Sequence, residues 1–192
     1  MHGLAVDLAH PRLAHAQDFP DFTQVQLFVA IQGEHQGFPF GTCREIEVGS
    51  FVPARLLPQM ADVAEVVRHA LTHPGITVMA LAPNLRGAEA ALAAGVHKVT
   101  LPVSASAAHS LANVRKTREA MVEEVRAVAQ LRDAQAPGVL VEVGLSTAFG
   151  CTLQGAVLED DVIWLADLCA EAGADEVGLS DTTGMANPAQ VR

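Results

Sequence analysis

Three carboxylates in this chain stand where a side chain could act on a ligand: Asp181, Glu47 and Glu142. Asp181 lies in Glu176-Val-Gly-Leu-Ser-Asp-Thr-Thr-Gly184, where a short apolar run opens into small and hydroxyl residues. This reads as a buried strand ending in a functional loop, because a strand holds its side chains rigidly while the following loop supplies polar groups and backbone donors. A carboxylate placed there can take or return a proton. Taken alone, Asp-Thr-Thr-Gly is ordinary turn composition, and a polar turn is the simpler reading. Glu47 alternates with Ile46 and Val48, and Glu142 with Val141 and Val143, so each carboxylate faces away from an apolar row. Either could merely balance an interior arginine or a solvated cavity. Asn84 suits a helix cap, Ser146 and Thr147 could bond local backbone, and Cys151 could be a small buried hydrophobe.

The elements that must position these residues follow from periodicity. Glu45 to Phe51, Thr77 to Ala82, Val99 to Val103, Val139 to Leu145 and the stretch from Glu176 read as strands. Between them, helical spacing runs over Ala61 to His73, stopped by Pro74-Gly75, and over Gly87 to Ala94, with Gly95 at its end. A long helical region is expected from Ala107 to Arg132, and another opens at Glu159, Asp160 and Asp161, where the helix dipole favours negative charge. Strand and helix alternate five times, and parallel strands need a crossover helix, so an α/β fold with a helix-covered parallel sheet is expected. It is either a doubly wound sheet or a (β/α)8 TIM barrel. No Gly-x-Gly-x-x-Gly or Walker loop follows the early strands, which weakens the nucleotide-binding sheet. A barrel typically takes about 250 residues, so five to six βα units make a partial one. Alternation places Asp181 on the side of Val177 and Leu179 unless the strand has already ended.

Residues 1–43 differ from the rest. They hold Phe19, Phe22, Phe28, Phe38 and Phe40, with one candidate strand, Thr23 to Ile31. His10 and His15 lack the i,i+4 spacing of a helical ligand pair. The organisation expected is a divergent segment, 1–43, before a barrel domain, 44–192.

Charge and composition narrow the partners. A formal charge of −10 with a pI near 5.1 provides little field to attract a nucleic acid, so a small molecule is expected. Cys43, Cys151 and Cys169 are odd in number and widely spaced, which argues against a disulfide framework or a structural zinc site and suits a reducing cytoplasm. No apolar run is long enough to span a bilayer, and no signal core opens the chain.

Ile46-Glu-Val-Gly-Ser-Phe-Val52 with Pro58-Gln-Met60, then Ala82-Pro-Asn-Leu-Arg-Gly87, Phe149-Gly-Cys151 and Leu179-Ser-Asp-Thr-Thr-Gly184, occur in that order. In these motifs the chain, from about Arg44 to Arg192, resembles the hydroxymethylglutaryl-CoA lyase family, and more weakly the isopropylmalate and homocitrate synthases. The resemblance implies a (β/α)8 barrel that cleaves a 3-hydroxy-3-methylglutaryl thioester to acetyl-CoA and acetoacetate, with Mg²⁺ or Mn²⁺ at the strand ends. It implies catalytic roles for Glu47 and Asp181 and substrate contacts for Asn84, Ser146 and Thr182. His109 and Asn113 fall in a segment that the family places near the ligand mouth. The acyl-CoA substrate is the expected partner, with self-association through open barrel edges.

The departures are as informative. The family's Arg-Asp-Gly-Leu-Gln first-strand motif has no counterpart in residues 1–43, and its His-x-His metal pair, catalytic cysteine loop and last asparagine ligand would fall beyond Arg192. No metal ligand is therefore assigned in this chain, and Cys151 is not that cysteine. Three readings follow: a carbon-carbon lyase whose isolated 192 residues are inactive, a non-catalytic barrel fragment or association partner, or a related acyl-CoA Claisen-type synthase.

Overall fold

Alternation is what shapes the sheet. In Lys98-Val-Thr-Leu-Pro-Val-Ser104, Val99, Leu101 and Val103 are wholly buried on one face, and Val141, Val143 and Leu145 continue that face on the next strand. The computed structural model describes residues 44–191, and its strands are β1 (Glu45–Ser50), β2 (Thr77–Leu81), β3 (Lys98–Ser104), β4 (Leu140–Ser146) and β5 (Glu176–Leu179). The first segment, 1–43, with its candidate strand and His10 and His15, lies outside the described residues.

All five strands are parallel and pair in chain order, β1-β2-β3-β4-β5. Right-handed crossovers in an order that never reverses place every helix on the same side of the sheet. A doubly wound sheet must reverse its order at a switch point, so this winding is that of a barrel wall. The helices are α1 (Val63–Ala70), α2 (Leu85–Ala94), α3 (Ala107–Val114), α4 (Arg118–Gln135), α5 (Glu159–Glu171) and the short α6 (Pro188–Val191). Val67, Ala88, Ala91, Met121, Val125, Val128, Leu165 and Cys169 press from them onto the valine face of the sheet. Removing this apolar surface from water stabilises the layer by about 25 cal/mol per Å². Burial raises the Cys169 thiol to about 11, so it behaves as a packed hydrophobe.

The single long helix expected from Ala107 to Arg132 is two helices. Arg115 adopts the left-handed conformation (φ 57°) and stops α3. The Ser110 hydroxyl donates to the Lys116 carbonyl at 2.7 Å, and Thr117 restarts the chain as the N-cap of α4, its Oγ1 accepting from the Ala120 N–H at 3.2 Å. The helical period continues across the break, which is why it does not show in the pattern. The helix expected over Ala61 to His73 is also shorter, with a 3₁₀ turn at Pro58–Met60 before α1.

Gly87 lets α2 approach the end of β1. A Cβ there would sit 2.7 Å from the Phe51 carbonyl oxygen and 3.3 Å from Pro83 Cδ. Gly87→Ala gains helix propensity but forces backbone apart, so a net loss of about 1–2 kcal/mol is expected in urea unfolding. A variant with a raised midpoint would show that the approach is not tight.

Candidate active site

The face opposite the valines is the inner side of the barrel wall and carries the charged side chains of the sheet. Its charged residues come from alternate positions: Glu45 and Glu47 on β1, Lys98 on β3, Glu142 on β4 and Glu176 on β5. At the N-terminal end of the strands, Lys98 is 1% exposed and its ammonium lies 2.5 Å from Glu176, 3.2 Å from Glu142 and 3.2 Å from Glu45. Burial alone would pull this ammonium down. The bond to Glu176 and the charges of Glu142 and Glu45 outweigh it and hold the group above its ordinary value.

Glu47 stands one alternation further along β1 and lacks such a counter-ion. Its burial, reinforced by the negative charge of Glu142 and opposed by the Thr100 hydroxyl, raises its pKa to about 7. The expectation that Glu47 and Glu142 face the barrel interior holds, and the cation that Glu142 balances there is a lysine, Lys98, rather than an arginine. Burial is reinforced by a like charge rather than offset by a counter-ion, so Glu47 is poised to exchange a proton near neutrality.

The C-terminal ends of the strands form a polar mouth. Ser104 and Ser146 are register partners at the last positions of β3 and β4. Ser104 Oγ lies 2.7 Å from His109 Nδ1, in the first turn of α3. Ser106 caps that helix, accepting from the His109 N–H at 3.1 Å, and donates to Gln154 Oε1 at 3.0 Å. Thr147 holds a positive φ of 59°, which costs a β-branched residue about 1–3 kcal/mol and needs surrounding bonds to persist. Those bonds are present. Its N–H donates to Thr182 Oγ1 at 2.8 Å, its hydroxyl donates to the Ser146 carbonyl at 2.6 Å, and the Ser106 N–H donates to that hydroxyl at 3.1 Å. The loops after β3, β4 and β5 are thereby joined.

Asp181 lies just past β5. The strand has ended by Leu179, and the carboxylate turns onto its own loop, accepting the Met185 N–H at 2.9 Å and the Ala186 N–H at 3.1 Å. Glu47 and Asp181 are not brought together: they belong to the two opposite edges of the sheet, with β2, β3 and β4 between. Asn84 caps α2, its Oδ1 accepting from the Gly87 N–H at 3.0 Å. Thr182 serves Thr147. Asn113 is half-buried on α3. Cys151 is buried and closes a tight turn, pairing with Gly155 through both backbone groups.

Lys98 and Ser104 were not singled out by sequence reasoning, and Thr147, expected to bond local backbone as it does to the Ser146 carbonyl, was not expected to be strained. Lys98 was legible, because extending the alternation one residue before Val99 places it on the face of Thr100. A positive φ at a threonine has no signature in composition.

The winding of the sheet is that of part of a (β/α)8 barrel. The chain belongs to the HMGL-like family, which it matches over residues 42–192. It is 40% identical over 147 residues to a 3-hydroxy-3-isohexenylglutaryl-CoA/hydroxymethylglutaryl-CoA lyase of Pseudomonas aeruginosa, covering 77% of this chain and 48% of that protein. It is 38% identical over 157 residues to an (R)-citramalyl-CoA lyase of Chloroflexus aurantiacus, covering 76% of this chain and 49% of the relative. An HMG-CoA lyase of Acinetobacter baumannii, solved with coenzyme A and 3-methylmalate, superposes with a TM-score of 0.71 at 34% identity, over 77% of this chain and 48% of that one. The chain spans about half the length of the curated relatives it matches, and the family is one of carbon-carbon lyases acting on acyl-CoA thioesters.

That family generally uses a divalent metal ion. The described residues do not fit one. Among the described residues, no group of three or more His, Cys, Asp or Glu side chains is placed to hold a metal. Glu45, Glu142 and Glu176 face the Lys98 ammonium, and both Asp181 oxygens accept backbone N–H groups. Among the described residues, no helix is long and apolar enough to cross a membrane.

Proposed function

We propose that residues 44–192 form the barrel-wall domain of an acyl-CoA lyase, with a 3-hydroxy-3-methylglutaryl-type thioester as substrate and Glu47 as the carboxylate that moves the proton. The supporting observation is Glu47 itself, held near pKa 7 on the inner face of the wall. Cleavage of such a thioester requires removal of the proton from the C3 hydroxyl. The C2–C3 bond then breaks, C3 becomes a ketone, and the bonding pair leaves as the thioester enolate, which takes a proton at C2. A carboxyl that binds a proton about as tightly as neutral solution does can accept the first proton and return one to the enolate.

The other roles in this reading are contacts at the mouth. Ser146 and Thr182 stand at adjoining strand ends, and Asn84, its carbonyl oxygen already engaged by Gly87, has its NH₂ group left for a ligand. Asp181 adds a second carboxylate, each oxygen of which keeps a second acceptor site after its backbone bond. Such groups suit the hydroxyl and carbonyl oxygens of an acyl thioester better than they suit an apolar ligand.

The 192 residues alone are expected to show no turnover, since no group of three or more ligating side chains is placed to hold a metal among the described residues. The check is acetoacetate release from hydroxymethylglutaryl-CoA with Mn²⁺ or Mg²⁺ added. Robust release would overturn the assignment of inactivity. The role of Glu47 is tested separately by carboxyl ¹³C NMR. A titration near pH 7 that moves when hydroxymethylglutaryl-CoA is added supports it, and a titration indifferent to the thioester sinks it.

A further inference from the structure

We propose that Gly144 and Gly178 make room on the inner face, one row below the mouth, for an uncharged C3 substituent longer than methyl on the acyl part of the ligand. The inference rests on the lyase reading and extends it to the size of the substrate.

Register sets the rows of the inner face. Ser104 and Ser146 lie across from one another at the mouth. Pro102, Gly144 and Gly178 align two residues deeper, and Thr100, Glu142 and Glu176 two residues deeper again. Two residues of strand rise about 7 Å, so a group that enters past the serines reaches the middle row within the length of a short alkyl chain. The interior of a (β/α)8 barrel is ordinarily filled by layers of bulky, branched side chains. In this row two adjacent strands contribute none.

The backbone does not require glycine at either place. Neither residue holds a positive φ. A Cβ at Gly144 would come no closer than 3.9 Å, to Thr100 Cγ2, and one at Gly178 no closer than 3.5 Å, to Glu142 Oε1. Both distances are ordinary contact, unlike the 2.7 Å that a Cβ at Gly87 would meet. Glycine inside a strand is less stable than alanine, and its common causes are a bulge, a tight bend or the close approach of a ligand. The register of β4 with both neighbours runs without interruption through Gly144, so there is no bulge. What the two glycines supply is space. Pro102 in the same row and the Thr100 methyl group suit an alkyl branch, while the Glu142 carboxylate beside Gly178 disfavours an anionic one.

The test measures, by isothermal titration calorimetry on the 192-residue chain, the binding of hydroxymethylglutaryl-CoA and of its homologue with propyl in place of the C3 methyl. The propyl thioester should bind at least as tightly as the methyl one. Gly144→Val, which fills the strip, should weaken the propyl thioester at least about tenfold more than the methyl, as expected for a misfit of one or two methylenes. Gly144→Ala should shift the same ratio in the same direction while raising the urea midpoint, which separates loss of room from loss of fold. A propyl thioester bound about tenfold or more weakly than the methyl one overturns this inference alone, as does a ratio that neither variant moves or a Gly144→Ala chain with a lowered midpoint. If neither thioester binds, the lyase reading falls and this inference falls with it.

Discussion

Lys98→Met is expected to destabilise the chain by about 3 kcal/mol at pH 7.5, the low end of the range for breaking a buried ion pair from one side. Methionine matches the length of the lysine stem, so the loss is not one of packing. What is lost is, among the described residues, the cation between three carboxylates that converge on one buried nitrogen, two of them on side chains 47% exposed. Their partial exposure screens the repulsion left behind and keeps the cost from the upper end of the range. Acidification neutralises glutamates, so the gap between variant and parent should shrink toward zero at pH 4. Lys98→Arg keeps the charge and should lose less. Urea unfolding at the two pH values checks this. A variant within about 0.5 kcal/mol of the parent at pH 7.5, or an equal deficit at both pH values, would mean that the cluster is not an electrostatic unit.

The cluster also marks what was legible in the sequence. The valine rows of β3 and β4 are visible as period-2 alternation, and because that period fixes both faces, the inward direction of Glu47 and Glu142 followed from the same residues. Asn84 as a helix cap and Gly95 as its stop were legible for a similar reason: each is a local bond or a local φ. The break between α3 and α4 was not, because Arg115 carries the left-handed conformation where glycine would be expected and the apolar stripe runs on past it. Nor could periodicity place Asp181, whose direction depends on the strand ending two residues earlier and on bonds to Met185 and Ala186. The convergence of Glu45, Lys98 and Glu176 is a property of sheet register over 131 positions of chain, and composition has no access to it.

Glu47→Gln should act in the opposite direction to Lys98→Met. The folded-state pKa of Glu47 is raised from 4.5 to about 7. An acid raised in the folded state binds more protons there than in the unfolded chain over the interval between the two values. Stability from this group is therefore undiminished below the unfolded value, falls as pH rises through that interval, and is fully lost above about 7. With about 1.4 kcal/mol per unit, the penalty is at most about 3.5 kcal/mol, and residual hydration of a half-buried side chain brings it nearer 2. Glutamine keeps the shape and has no charge to desolvate. The variant should match the parent near pH 4.5 and exceed it by about 2 kcal/mol at pH 8.5, with the gap opening between. A constant gap would assign the effect to packing, and no gap would mean that Glu47 is not held near neutrality. The same substitution removes the proton that the lyase reading requires. A chain made more stable by deleting an uncompensated carboxylate is one that keeps it for another reason, as acid–base sites do.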